Sequence, residues 1–451
     1  MIDARAEFIK ASVWHGSLER SQAILAAHPE VATSDIFTAS ILGDDVLVRT
    51  YLASDPESAT AKGAPLDWDA LTHLCFSSYL RLDPARSDAF VRAAQALLDA
   101  GADARSGFWE PNHQPEPEWE SAIYGAAGVA HHPELTRLLL QHGADPNDGE
   151  TPYHAPETYD NRALEVLVDS GKLTAASLTM ILLRKTDWHD LDGIRWLLKR
   201  GIDPNATNRF GKTALHNAIL SDNALSIVEA LLDHGADPLR LMERADAIRG
   251  GPADMPAAAL AARRGRGDVL ELFERRAIPV ALEGLDGLLA ACARNDTHAV
   301  QSLAAREPSV VDDLVSDGGS FLASFAANGN TDGVRHLLDL GVNVAAPFRQ
   351  GNSYMGIASD STALHAAAWL ARHDTVALLI ARGAPADTQD GKGRTPLALA
   401  VRACVDSYWT RRRSPASVAA LLNAGASVTG VMFPSGYAEV DELLQAHGAG
   451  T

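Results

Sequence analysis

Apolar residues recur along the chain in short ridges that run into a glycine. Examples are LLLQHGADPN at 138–147, ALLDHGADP at 230–238 and LLIARGAPAD at 378–387. Leucine pairs at helical spacing predict a helix that buries one face. Glycine is favoured where a helix ends in the left-handed conformation. The pattern therefore predicts a series of buried helices, each followed by a glycine turn.

A second phrase precedes several of these ridges. It reads TPYHA at 151–155, TALHNA at 213–218, TALHAAA at 362–368 and TPLALA at 395–400. Threonine caps helices and proline fits a first helical turn, so the phrase predicts the start of a helix. Each unit is therefore expected to contain a turn, a short helix, a loop and a longer helix.

These phrases resemble the ankyrin repeat, whose signature is T-P-L-H-x-A with a period of about 33 residues. The resemblance implies an all-α solenoid of roughly twelve helix-turn-helix units, with degenerate terminal repeats and several long loop insertions. In LAAHPEVA (25–32), LASDPESA (52–59) and AAREPSVV (304–311), a proline turn replaces the glycine turn. We interpret these as degenerate repeats that keep the same helix pair.

No linker separates the repeats, so we group them by how closely their sequences follow the repeat pattern and by their insertions. We expect degenerate repeats over 1–107, repeats with aromatic and histidine-rich insertions over 108–210, further repeats over 211–436, and a C-terminal cap helix over 437–451. The resemblance also implies that His216 and His365 make structural hydrogen bonds near the turns. His154 holds the same place in its phrase.

Charge and cysteine content narrow the possible partners. The formal net charge is -19, which disfavours nucleic acid and anionic membranes as partners and favours a basic protein or peptide. The three cysteines are odd in number and far apart in the sequence, which indicates a reducing, cytoplasmic setting. The sequence leaves the oligomeric state open.

Catalytic and cofactor motifs give little signal. The chain contains neither HExxH nor GxSxG, and Gly211-Lys212-Thr213 lacks the earlier glycine that a phosphate loop requires. We therefore expect no cofactor and no metal. The ankyrin resemblance implies an interaction scaffold that binds a partner protein or peptide on its concave surface.

The segment from 108 to 196 differs from a plain scaffold. It holds four of the eight tryptophans, three of the eight tyrosines and six of the sixteen histidines. Insertions at 108–121 and 148–161 fall in neighbouring repeats, so they are expected to meet on one face. A third phrase, RKTDWHD at 184–190, is predicted to lie in a loop between two helices.

Aromatic rings beside a few convergent polar groups are typical of a binding pocket. We therefore predict that the following residues bind a ligand or partner: Trp109, His113, Trp119, Tyr124, Glu150, Tyr153, His154, Glu157, Tyr159, Trp188 and His189. Two alternatives remain open. The insertions could pack only on themselves, or they could form a small-molecule (possibly sugar) site or an enzyme pocket, with Glu157, His154, Asp187 and His189 as its catalytic groups. The imidazoles of His113, His154 and His189 could also bind a metal, but their spacing is not diagnostic.

Overall fold

A computed structural model of the protein describes residues 3–114, 116–208, 210–246, 251–406 and 412–450. The chain divides into two compact units, Met1–Ile202 (unit 1) and Asp203–Thr451 (unit 2). Both units are built mainly of short helices connected by tight turns.

Unit 1 contains thirteen α-helices within its described residues. They are α1 (Ala4–Ser12), α2 (Leu18–Ala27), α3 (Ile36–Leu42), α4 (Asp45–Ser54), α5 (Ala70–Cys75), α6 (Ser78–Leu82), α7 (Ser87–Asp99), α8 (Ala122–Tyr124), α9 (Pro133–Gln141), α10 (Glu150–His154), α11 (Arg162–Asp169), α12 (Ala175–Asp187) and α13 (Leu191–Lys199). A π-helical turn, Gly125–Val129, continues α8.

Two β-hairpins extend from the turns of unit 1. The shorter hairpin pairs β1 (Lys62–Gly63) with β2 (Trp68–Asp69), and the longer one pairs β3 (Gly107–Glu110) with β4 (Glu118–Ser121). The longer hairpin is the insertion predicted at 108–121, and it adds strands to a chain expected to be helical throughout.

Unit 2 contains fourteen α-helices within its described residues. They are α14 (Ala214–Leu220), α15 (Leu225–Asp233), α16 (Ala257–Arg263), α17 (Gly267–Arg275), α18 (Gly284–Ala293), α19 (Thr297–Arg306), α20 (Pro308–Ser316), α21 (Gly318–Asn328), α22 (Thr331–Asp339), α23 (Ala363–Trp369), α24 (His373–Ala381), α25 (Pro396–Val405), α26 (Ala416–Asn423) and α27 (Ala438–Ala446). The last of these, α27, packs on α26.

Small side chains allow the short helices of unit 2 to pack closely. Helix α23 packs between α21 and α25. Its residues from Ala363 to Ala368 are all buried. Four of these six are alanines, so the backbones of neighbouring helices approach with little side-chain volume between them. The buried leucines, such as Leu364, supply most of the apolar area that this layer removes from water.

The turn phrases fold as the sequence predicts at three places, since Thr395 caps α25 and two phrases that contain histidine form capping boxes. Thr213 and His216 form a reciprocal capping box, and Thr362 and His365 form another. The ring Nε2 of His216 donates to the carbonyl of Arg240 at 2.9 Å. Burial lowers the pKa of His216 to about 4, so the ring is neutral and its Nδ1 accepts hydrogen bonds.

The degenerate repeats keep their helix pairs but differ at the turn. Pro29 and Pro56 each open a 3₁₀ turn, Pro29–Thr33 and Pro56–Ala59. Pro308 instead begins the full helix α20. Proline suits all three positions because a first helical turn does not use its missing N–H group.

Candidate functional site

The β3–β4 hairpin sorts its side chains onto two faces. Its register places Trp109 opposite Trp119 and Glu110 opposite Glu118. Because alternate residues of a strand point to opposite faces, the tryptophans share one face and the glutamates the other. The two indole rings meet edge-on with centroids 5.6 Å apart. Trp109 remains 65% exposed, so an aromatic surface projects from the hairpin.

Glu120 is the exceptional residue of this hairpin. It lies opposite Phe108, on the face that carries the other glutamates. Its side chain is 1% exposed, and its Oε2 has no hydrogen-bond partner within the described residues. Burial, followed by the charge of Glu150, raises the pKa of Glu120 from 4.5 to about 7. Glu120 is therefore harder to ionise than an exposed glutamate, although the charge of His154 opposes this rise in its pKa. No cation forms an ion pair with Glu120 in the described part of the structure.

His154 occupies a different place from the one that its phrase predicts. Asp148 accepts the N–H of Thr151 at 2.7 Å, so Thr151 lies inside the helical turn and does not cap it. His154 consequently lies at the end of α10, whereas His216 is the third residue of its helix. His154 therefore holds the histidine place of its phrase without the helix position that His216 has in its own phrase.

Two carboxylates hold the His154 ring. Its Nε2 lies 3.1 Å from Glu150 Oε2, and its Nδ1 lies 2.9 Å from Glu157 Oε2. Burial alone would lower the pKa of His154, but the hydrogen bonds to Glu150 and Glu157 raise it to about 9. The ring is therefore an imidazolium at neutral pH and donates through both nitrogens. Its face packs against Tyr124, with ring centroids 5.3 Å apart.

Arg184 and Asp187 extend this network from α12. The prediction that 184–190 forms a loop is wrong for its first four residues, because α12 continues to Asp187. Arg184 pairs with Glu157, and its Nη1 lies 2.6 Å from Asp187 Oδ2. Its guanidinium stacks over the ring of Tyr153 at 4.1 Å. These contacts bring two of the three predicted segments together without any inward loop.

The charged side chains of this network compensate one another. Negative and positive groups alternate from Glu150 through His154, Glu157 and Arg184 to Asp187. Each charge is offset by a neighbour, which is the usual condition for retaining charges in a partly buried site. A histidine held charged by two carboxylates is a poor general base at neutral pH, because its nitrogens already carry protons.

The other predicted residues form separate contacts. Tyr159 donates its hydroxyl to the carbonyl of Trp188 at 2.9 Å, and the two rings meet edge-on. His113 lies within the turn of its own hairpin, with Nδ1 3.0 Å from the carbonyl of Glu116. His189 adopts a left-handed φ of 53° in the loop after α12.

An aromatic cleft lies beside the longer hairpin and was not predicted. Phe108 stacks on Trp68 with centroids 4.0 Å apart, and Trp14 meets Phe108 edge-on at 5.5 Å. The cleft has a volume of about 650 Å³, and Glu110 and Trp109 also line it. Its lining includes no residue of 148–161 or 184–190. The sequence signal for this cleft is the pair of isolated tryptophans, Trp14 and Trp68, in the degenerate N-terminal repeats, outside the segment 108–196.

Two further properties limit the possible ligands. No group of three or more His, Cys, Asp or Glu side chains within the described residues has an arrangement that could hold a metal ion. Across the same residues, none of the helices combines the length and the apolarity that a membrane span requires.

Comparisons with known proteins agree with the fold. The sequence model of a family described as "Ankyrin repeats (many copies)" matches residues 180–232, and that of "Ankyrin repeats (3 copies)" matches residues 288–390. No curated protein matches the chain.

Two solved structures are similar to parts of the chain. The human ASB11 ankyrin repeat domain is 20% identical and aligns over 60% of this chain and 96% of its own, with a TM-score of 0.25. The ankyrin repeat domain of Bcl-3, described as a unique member of the IkappaB protein family, is 24% identical over 53% of this chain and 97% of its own, with a TM-score of 0.23. The family matches confirm the fold class predicted from the sequence, an all-α ankyrin-repeat solenoid, and they identify ankyrin repeats at residues 180–232 and 288–390.

Proposed function

We propose that this chain is a protein-interaction module and that the acidic face of the β3–β4 hairpin takes a lysine or arginine side chain of its partner. Ankyrin repeats are generally protein-interaction domains, and the partner would be a protein or peptide with a basic segment. The observation that carries the proposal is the Glu120 carboxyl group, buried beside Glu150 without a hydrogen-bond partner for Oε2 among the described residues.

The rest of the acidic face supports the same occupant. Glu110 and Glu118 lie directly opposite each other. Like charges in a cross-strand pair destabilise a hairpin, so this pairing has a cost in the free chain. A cation placed between these carboxylates would remove that repulsion and would satisfy Glu120. The described residues offer no metal site, which favours a cationic side chain over a metal ion.

The tryptophans on the other face of the hairpin would add affinity. Trp109 is 65% exposed beside Trp119. Exposed tryptophans are enriched among the residues that dominate binding energy at protein interfaces. Trp109 also borders the cleft of Trp14, Trp68 and Phe108, so an apolar residue next to the partner's cation would have a place to dock.

An enzymatic role for the predicted set has less support. The His154 ring is held charged by Glu150 and Glu157, and both carboxylates are engaged in return. We therefore assign Glu157, His154 and Asp187 to positioning α10 against α12 rather than to catalysis. We also propose a cytoplasmic setting, which the three buried, unpaired cysteines support.

Selection of displayed random peptides on the full chain tests this function. Bound peptides should be enriched in lysine or arginine, and replacing that residue by norleucine should weaken a selected peptide about tenfold or more, as expected for a hydrogen bond to a charged group. Glu120→Gln should weaken the parent peptide to a similar degree. It should have little further effect on the norleucine peptide, because the coupled partner is already gone.

Two matched controls separate recognition from general charge. Glu271→Gln removes an exposed carboxylate on α17 in unit 2. Trp196→Ala removes a tryptophan on α13 that stacks with Arg200. Neither substitution should change peptide binding, whereas Trp109→Ala should weaken it. Selection of peptides without basic residues, or equal losses for Glu120→Gln and Glu271→Gln, would refute the proposed function.

A further inference from the structure

Four helices of unit 2 begin after one of two kinds of residue. Helices α19 and α22 begin after Asp296 and Asn330, whose side chains accept backbone N–H groups of the first turn. Helices α17 and α24 begin after Arg266 and Arg372, and neither arginine accepts such a bond. An arginine at this position is unfavourable, because it has no acceptor and adds charge to the positive end of the helix dipole.

One segment, made of the last turn of α21 and the two residues after it, contacts both arginine-bearing loops. Asn330, after α21, donates through Nδ2 to the carbonyl of Gly265 at 2.8 Å, next to Arg266. Arg372 donates through Nε to the carbonyl of Ala327 at 2.8 Å, in the last turn of α21. The starts of α17 and α24 are therefore both held against the C-terminal end of α21 and the residues that follow it.

Arg266 and Arg372 together have more N–H donors than the neighbouring carboxylates accept. Arg266 is 5% exposed and pairs with Asp268 through Nε and Nη2, both at 2.8 Å, but its Nη1 has no partner within the described residues. No carboxylate of the described chain lies within ion-pair distance of Arg372. Burial lowers the pKa of Arg372 to about 10, and the charges of Arg412 and Arg266 contribute to this shift. A chain with a net charge of -19 thus keeps a local excess of positive charge.

A second acidic residue, Asp222, does not neutralise this excess. Asp222 interacts electrostatically with Arg372, but it is held by Arg264, whose Nε donates to Asp222 Oδ1 at 3.1 Å. A ligand anion would supply the missing acceptors. Helix starts and arginine forks are the two features that proteins combine to bind phosphate.

We propose that Arg266 and Arg372, at the starts of α17 and α24, form a binding site for the phosphate group of a ligand. Arg372 is partly exposed and would contact the phosphate from the solvent side. The unpaired Nη1 of Arg266 is buried and would donate to the phosphate from the protein interior. This site lies within unit 2 and does not depend on the hairpin of unit 1.

Thermal unfolding of the full chain in inorganic phosphate tests the site. A ligand that binds only the folded state raises the melting temperature. Phosphate should therefore raise it more than sodium chloride of equal ionic strength does. Arg372→Gln should reduce the phosphate affinity about tenfold or more, the effect of losing one charge-assisted hydrogen bond.

Two further variants keep the test decisive. Asp268→Asn removes the carboxylate that competes for Arg266, so it should increase phosphate affinity. Arg275→Gln removes an exposed arginine from the last turn of α17 and should change nothing. Equal stabilisation by phosphate and chloride in the parent chain overturns the proposal, and so does equal behaviour of Arg372→Gln and Arg275→Gln.

The source of the phosphate group is distinguished by comparing inorganic phosphate with a phosphoserine-containing peptide. Equal affinity indicates a site for free phosphate. Tighter binding of the peptide, lost in Arg372→Gln, indicates a phosphorylated ligand. Failure of this test leaves the hairpin function unaffected, because the peptide selection depends on Glu120 and Trp109.

Discussion

Replacement of Glu120 by glutamine is expected to stabilise the chain in a pH-dependent manner. The pKa of Glu120 is raised from 4.5 to about 7, so between these values the folded chain binds a proton that the unfolded chain has released. The contribution of Glu120 to stability is therefore complete below about pH 4.5 and is lost as the pH rises through 7. At about 1.4 kcal/mol per pKa unit, the loss amounts to about 3 kcal/mol above pH 7. Glutamine resembles the protonated acid and avoids this loss.

Urea unfolding at several pH values measures the effect. Tryptophan fluorescence is a suitable signal, because six of the eight tryptophans lie in unit 1. Glu120→Gln should be more stable than the parent by up to about 3 kcal/mol near pH 8, and the difference should vanish near pH 4. A difference that does not change with pH would refute the reasoning, since an uncharged packing effect has no proton linkage. Glu271→Gln serves as the exposed control.

Three other substitutions give results of defined sign. Because the pKa of His154 is raised to about 9, its contribution is complete below its ordinary value of 6.5 and is lost as the pH rises through 9. Urea unfolding should therefore show the deficit of His154→Gln shrinking by about 3 kcal/mol between about pH 6 and about pH 10, and a constant deficit would contradict the assigned carboxylate contacts. For His216 the pH dependence has the opposite sign. Its pKa is lowered to about 4, so the unfolded chain binds the proton before the folded chain does as the pH falls. Between about pH 7 and about pH 4, the parent should therefore lose about 3 kcal/mol of unfolding free energy relative to His216→Gln. Lys185→Met leaves Asp190 buried without its cation and should lower the unfolding free energy by about 3–5 kcal/mol at neutral pH. Adding Asp190→Asn should restore part of this loss. Denaturation midpoints that fail to recover in the double variant would count against the Lys185–Asp190 pair.

The repeat was predictable where one local signal dominates. At Thr213 and Thr362, a threonine is followed three residues later by histidine, and each pair closes a capping box. The same reasoning fails at Thr151, because Asp148 lies three residues earlier and takes the N–H of Thr151. Two candidate caps competed for one helix start, and the sequence pattern does not rank them.

The sequence grouped several residues that do lie close together, while their role in binding stays a prediction. His154 contacts both Glu150 and Glu157, which are near it in the sequence. The burial of Glu120 could not be predicted, because it depends on the hairpin register that turns its side chain inward opposite Phe108. The contribution of Trp14 depends on packing between repeats far apart in the sequence, for which the local pattern contains no signal.

The base of the longer hairpin has a consequence for how this chain could change its partner. The N–H of Ala122 donates to the carbonyl of Ser106 at 2.7 Å, so the hairpin leaves and rejoins the repeat at one point. Gly107 allows this closure, because a Cβ there would lie 2.3 Å from the carbonyl oxygen of Glu120. The fifteen residues between Ser106 and Ala122 act as an exchangeable insertion, since lengthening a closed loop adds little entropy cost. New recognition sequences could be exchanged there while the helices of the scaffold stay as they are, provided that a glycine remains at the junction.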